Sequence, residues 1–179
     1  MDSTYIFISE RLGFRNWKES DIEPLFKINS DPKVMEFFPS TQTLNQTKNF
    51  IKRMQDQYSS KGFCYFAVDT LHDNSFIGFI GISEQNFEAD FTPCIDIGWR
   101  LSQNQWGKGY ATEGAKRCLE FAFNTLNLES IKAICPSVNQ KSERVMNKLG
   151  MTREYAFNHP LLKDHKTLEE CILYEVTRN

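Results

Sequence analysis

The spacing of apolar residues changes several times along this chain, and each change marks an element. Ile95, Ile97, Trp99 and Leu101 alternate with Cys94, Asp96, Gly98 and Arg100, the period-two pattern of a pleated strand. The interval then lengthens. Ala111, Ala115, Cys118, Ala122 and Leu126 recur every three or four residues, which predicts an amphipathic helix over about 110–126. Its outer face offers Glu113–Arg117 and Lys116–Glu120 as ion pairs one turn apart.

The same reading extends in both directions. Residues 5–17 read as a first strand, and Ser20 caps a short helix over 20–28 that Asp31-Pro32 ends. Thr43 caps a second helix, in which Phe50, Ile51, Met54 and Tyr58 keep helical spacing. Residues 63–68 and 76–82 are apolar on both faces, which marks central strands covered from above and below. A strand follows over 131–135. Asn139 caps a helix with Val145, Met146 and Leu149 inward, which Gly150 stops; strands over 152–157 and 168–176 close the chain. The order β-α-α-β-β-β-α-β-α-β-β predicts an α/β fold around one mixed sheet, and 179 residues suit one domain over 1–179.

Between the strand at 95–101 and its helix lies Gln105-Trp106-Gly107-Lys108-Gly109-Tyr110-Ala111. Two glycines and an alanine leave the backbone bare at a helix start, where unpaired N–H groups and the positive end of the helix dipole favour an anion, above all a phosphate. No G-K-[ST] follows, and Thr112 breaks the dinucleotide-binding spacing. Ser142 falls on the inward face of its helix with Val145 and Met146. A hydroxyl there either bonds back to its own helix or has a task.

Composition narrows the class. A net charge of −2 offers no general attraction to nucleic acid or to an anionic membrane. Five widely spaced cysteines in apolar runs (Cys64, Cys94, Cys118, Cys135, Cys171), with no C-x-x-C, read as buried free thiols of a reducing, cytoplasmic protein. No run is long and apolar enough to span a membrane, and Met1-Asp2-Ser3-Thr4 does not open a targeting leader. His159 and His165 have no third partner at metal spacing, so no metal is expected.

Taken together, the motifs resemble the GNAT family of N-acetyltransferases, and within it the RimJ/RimL branch of ribosomal-protein-alanine acetyltransferase-like enzymes. The resemblance covers the whole chain. It rests on S-E-R-L-G-F-R-N-W (9–17), I-G-F-I-G-I (77–82), D-I-G-W-R-L (96–101), W-G-K-G-Y-A-T-E (106–113) and N-Q-K-S-E-R-V-M-N-K-L-G-M (139–151). It implies a mixed, mostly antiparallel sheet of six to seven strands with about four helices and a splayed central strand. It implies acetyl-CoA as co-substrate, its pantetheine arm along Ile97, Gly98 and Trp99. Its pyrophosphate would lie on the turn formed by Trp106, Gly107, Lys108, Gly109, Tyr110 and Ala111. Asn139 would touch the pantetheine side and Ser142 would stand near the sulfur. Trp106 replaces the family's glutamine or arginine, which matters little where main-chain amides bind. Met146 stands where many members carry a thiolate-protonating tyrosine, which leaves Ser142 or a water as the acid.

The implied reaction is direct transfer of acetyl to a primary amine. An α-amine titrates near about 8 and a lysine near about 10.4, so the former needs little help at neutral pH. Asp96 and Glu84 are the candidate general bases, each set against a structural reading as a solvated acid or a partner for Arg100. Lys108, Lys141 and Arg144 are candidate ligands of the CoA 3′-phosphate. Trp17, the 36–39 loop and the 155–166 loop with His159 and His165 are the expected acceptor walls. The acceptor could be a protein N-terminus or a small amine. The alternative reading is a CoA-binding sensor with little turnover, and nucleic-acid binding lacks its basic face. The expected assembly is a monomer or a homodimer.

Overall fold

Residues 5–17, expected as one strand, fold back on themselves. The computed structural model describes residues 4–178, so Met1–Ser3, read above as part of a start without a targeting leader, lie outside the described residues. Within it β1 (Phe7–Ile8) and β2 (Leu12–Arg15) form a hairpin in which Phe7 faces Phe14. The reversal is fixed locally: Ser9 N–H donates to the Leu12 carbonyl at 2.8 Å, and Ser9 Oγ accepts from Leu12 N–H at 3.2 Å. This hairpin makes the sheet eight-stranded rather than six- or seven-stranded.

The remaining elements follow the expected order. They are α1 (Ile22–Asn29), α2 (Leu44–Lys61), β3 (Tyr65–Thr70), β4 (Phe76–Gln85), β5 (Cys94–Leu101), α3 (Tyr110–Asn124), β6 (Ser130–Pro136), α4 (Gln140–Lys148), β7 (Thr152–Asn158) and β8 (Glu170–Thr177). Spatially the strands run β1-β2-β3-β4-β5-β6-β8-β7. Every neighbouring pair is antiparallel except β5 and β6, the strands joined through α3. That parallel pair registers at a single position, Asp96 opposite Lys132, whereas β4 and β5 pair without a break from Gly78–Leu101 to Gln85–Cys94. The central strand is splayed, as the resemblance implies.

Helices cover both faces of the sheet. Gly114 of α3 lies so close to Ile80, Leu12 and Phe14 that a Cβ there would sit 2.4 Å from Ile80, so α3 beds on that face. The other face carries a ring cluster, in which Phe79 lies 5.1 Å from Phe50 of α2, 5.4 Å from Tyr65 and 6.4 Å from Trp17. Leu12, Phe14, Phe66, Ile77, Ile80 and Ile82 are fully buried, and truncating any of them to alanine costs about 2–5 kcal/mol. Thr43 caps α2 by accepting from Gln46 N–H, with Gln46 reciprocating on the Thr43 N–H, the capping box its sequence implies.

Two expected ion pairs are replaced. Glu113 does not pair with Arg117: it accepts from Ser9 Oγ at 2.7 Å and from Arg11 Nε at 2.6 Å, tying α3 to the β1–β2 turn. Arg117 instead approaches Glu120 at 3.9 Å and donates to the Ile8 carbonyl. The turn brings Arg11 to the helix start, where its cation is nearer than one a turn along α3. The cysteines are free thiols, four buried and Cys94 half-buried; burial pushes Cys135 and Cys171 up to about 12. Among the described residues no helix is long and apolar enough to cross a membrane.

Candidate active site

The splay at Asp96 opens a cavity of about 450 Å³ beside the C-terminal half of β5. Its floor is Trp99, Arg100 and Leu101. One wall is the turn into α3 with the first turns of α4; the other is the 33–38 loop. Trp106 joins them, donating Nε1–H to the Leu101 carbonyl at 2.9 Å and packing against Val34 and Met35.

The turn leaves its backbone bare. Gly109 is the N-cap of α3 with φ of 82°, and Gly107 has φ of 74°, a left-handed backbone that larger residues adopt only with strain. A Cβ on Gly107 would meet nothing within 4 Å, so conformation and not crowding demands glycine there. No side chain caps α3, whereas Thr43 caps α2 and Asn139 caps α4. The first-turn amides of α3 thus have no side-chain cap among the described residues, and Gly109, Tyr110, Ala111 and Thr112 lie on the cavity surface, the geometry in which a helix start can hold an anion. Arg11 braces the turn from behind by donating to the Lys108 carbonyl at 3.0 Å.

On α4, Asn139 Oδ1 accepts from Ser142 N–H at 3.1 Å, and both residues line the cavity. Ser142 Oγ makes no hydrogen bond to any described residue, so it does not bond back to its own helix. Met146 is buried and does not line the cavity. Of the candidate 3′-phosphate ligands, Lys141 lines the cavity with its ammonium 4.7 Å from the Trp106 ring centre. Lys108 bonds Gln105 Oε1 at 2.8 Å beside it, and Arg144 is exposed and outside the lining.

The two candidate bases part company. Asp96 is buried at the vertex of the splay, where Oδ1 accepts from Tyr65 Oη at 2.5 Å and from Gln85 Nε2 at 3.0 Å. Burial pushes its carboxyl up to about 6, against the pull of those two hydrogen bonds. It is neither solvated nor a partner of Arg100. Glu84, exposed, pairs with Lys61 at 3.2 Å, and neither carboxylate lines the cavity: Asp96 is buried and Glu84 lies on the surface. Trp17 likewise does not line the cavity: it is buried, with Nε1–H donating to the Tyr65 carbonyl at 2.7 Å. The 155–166 loop also lies outside the cavity lining. There the His159 ring lies tilted against Phe87 with centroids 4.2 Å apart, and burial lowers its pKa. Of the expected acceptor walls only the 36–39 loop contributes, through Phe37 and Phe38.

Lys33, Lys148 and Arg100 also line the cavity, and sequence reasoning passed over all three. Arg100 alone left a signal. It shares a strand face with buried Asp96 and lies opposite Phe79, a core position where a charge needs a reason.

Comparisons with known proteins converge on one family. Residues 11–152 match the model described as "Acetyltransferase (GNAT) domain". The uncharacterized N-acetyltransferase YnaD of Bacillus subtilis is 31% identical over 163 residues, which cover 90% of this chain and 91% of that protein. A solved GNAT-family acetyltransferase from Bacillus anthracis superposes with a TM-score of 0.79 at 29% identity, covering 95% of this chain and 96% of the other. The ribosomal-protein-S5-alanine acetyltransferase of Vibrio fischeri shares the fold, with a TM-score of 0.76 at 21% identity over 97% of this chain and 96% of the other.

Proposed function

This chain belongs to the GNAT acetyltransferase family, and from that premise we propose that it transfers the acetyl group of acetyl-CoA to the primary amine of a small molecule or a protein N-terminus, as a RimJ/RimL-like enzyme. Acetyl-CoA-dependent acyl transfer is the family's chemistry; the acceptor and the residue roles are our reading. One observation carries it: an uncapped α3 with glycines at positive φ, facing a cavity that opens where β5 leaves β6. The free first-turn amides suit a pyrophosphate, and Ile97, Gly98 and Trp99 lie beyond the last registered pair with β6, where a pantetheine amide can take the place of a strand.

Acetyl-CoA supplies an activated thioester carbonyl. The amine nitrogen forms the new C–N bond as the C–S bond breaks, the amine loses a proton and the departing thiolate gains one. Asp96, ionised above about pH 6, receives the amine proton through a water, with Tyr65 and Gln85 holding its carboxylate in place. Ser142, whose hydroxyl is uncommitted, protonates the thiolate. Glu84, exposed and paired with Lys61, has no part in this scheme.

The test is CoA release from acetyl-CoA across N-terminal peptides, polyamines, aminoglycosides and amino acids, with each product mass checked. A product heavier by one acetyl group supports the reading. Tight acetyl-CoA binding without transfer to any of these amines would instead favour a sensor.

A further inference from the structure

Arg100 is a buried cation with no anionic partner among the described residues. Its side chain is 8% exposed, and its one hydrogen bond to a described residue runs from Nη1 to Asn29 Oδ1 at 2.8 Å. Nε is buried and has no partner among the described residues. The Phe38 and Phe79 rings lie 4.2 and 5.2 Å from the guanidinium carbon, so apolar and aromatic groups replace the water that would otherwise solvate the charge. Burial draws the group down to about 10, which still leaves it charged at neutral pH. A buried charge left so poorly paired is costly to the fold, and a methionine or leucine would fill the same volume without that cost.

The surroundings indicate what the charge is for. Arg100 lines the cavity, and its contacts are with Asn29 at the end of α1 and with Phe38, the side that carries the 33–38 loop. The amides at the start of α3 already offer an anion site at the α3–α4 side. Nε is enclosed, whereas Nη2 is bonded to no described residue and is not fully buried, so it is the donor nearest to hand for a ligand in the cavity. Arginine pairs with carboxylate and phosphate alike, but the α3 amides already offer a phosphate its place, which leaves a carboxylate as the anion for Arg100.

We propose that Arg100 anchors a carboxylate of the acceptor, so that this site acetylates amines which also carry a carboxylate, in preference to polyamines and other purely cationic amines. The inference rests on the acetyl-transfer reading above and adds the substrate class. The amine is directed toward the thioester from the 33–38 side, while Phe38 and Asn29 hold the guanidinium at the cavity wall.

The experiment compares matched acceptors that differ by the carboxylate alone: 5-aminopentanoate against pentylamine, and lysine against 1,5-diaminopentane. The expected result with the wild-type protein is a kcat/KM higher by roughly ten- to a hundredfold for the acid member of each pair, carried by KM, as one charge-assisted hydrogen-bonded pair warrants. Arg100→Gln should bring that ratio toward one, and Arg100→Lys, which keeps charge but not the fork, should leave it intermediate. Equal or better turnover of the carboxylate-free amines overturns the inference while leaving acetyl transfer intact. So does a preference for aminoalkyl phosphates over the acids. An Arg100→Gln protein with weaker acetyl-CoA binding and an unchanged ratio overturns it as well, by assigning the guanidinium to the donor. Acetyl-CoA binding with no transfer to any amine overturns the parent reading and this inference with it. Should the Arg100 variants fail to fold, the wild-type ratio alone decides.

Discussion

Arg15 and Arg100 are both strand arginines sunk into the protein, 5% and 8% exposed, yet the fold treats them in opposite ways. Arg15 is closed off by its own chain. Its guanidinium donates to Asp69 at 2.6 and 2.8 Å, to Asp21 at 2.7 and 2.9 Å, and to the Asn16 carbonyl at 3.3 Å. Although burial lowers its pKa, the two carboxylates more than reverse that and drive it above the ordinary arginine value. Arg100 receives one amide oxygen and two aromatic rings, and burial leaves it below that value. Both sites desolvate a cation, but the first compensates it within the fold and the second at a cavity wall. A completed charge cluster belongs to stability; an incomplete one facing a cavity belongs to binding.

The sharpest way to break this contrast is to remove the completed cation. Arg15→Ala strands Asp21 and Asp69 without their partner, and should cost about 3–5 kcal/mol of unfolding free energy in a urea titration at pH 7. A loss below about 1 kcal/mol would mean that the cluster is no more structural than Arg100.

Asp96 is an intermediate case, a buried anion held by neutral donors, and it should respond to pH. Its folded-state pKa of about 6 lies above the ordinary carboxylate value of 3.8, so its share of stability is fully present below about pH 4 and is lost as pH rises through 6. Asp96→Asn removes that titration. The variant should gain roughly 3 kcal/mol relative to wild type between pH 4 and 7, and should lose the rising limb of kcat/KM near pH 6. An unchanged limb would dismiss Asp96 as the base.

Backbone donors allow the same contrast, since α2 is capped and α3 is not. Gly109→Ala forces a side chain into φ of 82°, and should cost about 1 kcal/mol of stability while weakening acetyl-CoA binding about tenfold by calorimetry. Smallest of all is the stability change expected for Arg100→Met: within about 1 kcal/mol of wild type, or a gain, because an unpaired charge gives way to an apolar side chain. A loss as large as that of Arg15→Ala would place Arg100 with the structural ions.

The turn into α3 and the cap of α4, which we assign to the donor, were legible in the sequence because their signals are local. Gly107, Gly109 and Ala111 announce the turn within five residues, and Asn139 and Ser142 are one helical turn apart. Strand and helix order followed from period two and period 3.6 for the same reason. What escaped depends on distant contacts. Arg100 meets Asn29, 71 positions away, and Glu113 meets Ser9, 104 positions away, so neither partner is visible from spacing. Trp17 looked like a pocket residue because an aromatic beside a loop gives no sign of burial, and its bond to the Tyr65 carbonyl is again long-range. The β1–β2 reversal was missed because Ser9, Glu10 and Arg11 form a turn without glycine or proline.

The single rung between β5 and β6 has a mechanical consequence. The sheet is in effect two leaves, β1–β5 and β6–β8–β7, hinged at Asp96–Lys132 and bridged by α3. A ligand hydrogen-bonded along β5 beyond that hinge acts as a borrowed strand, and its binding energy is shared by both leaves. Saturation with acetyl-CoA should then slow amide exchange in β6 and β8 as well as in β5, so that two leaves able to open separately when empty open together when loaded.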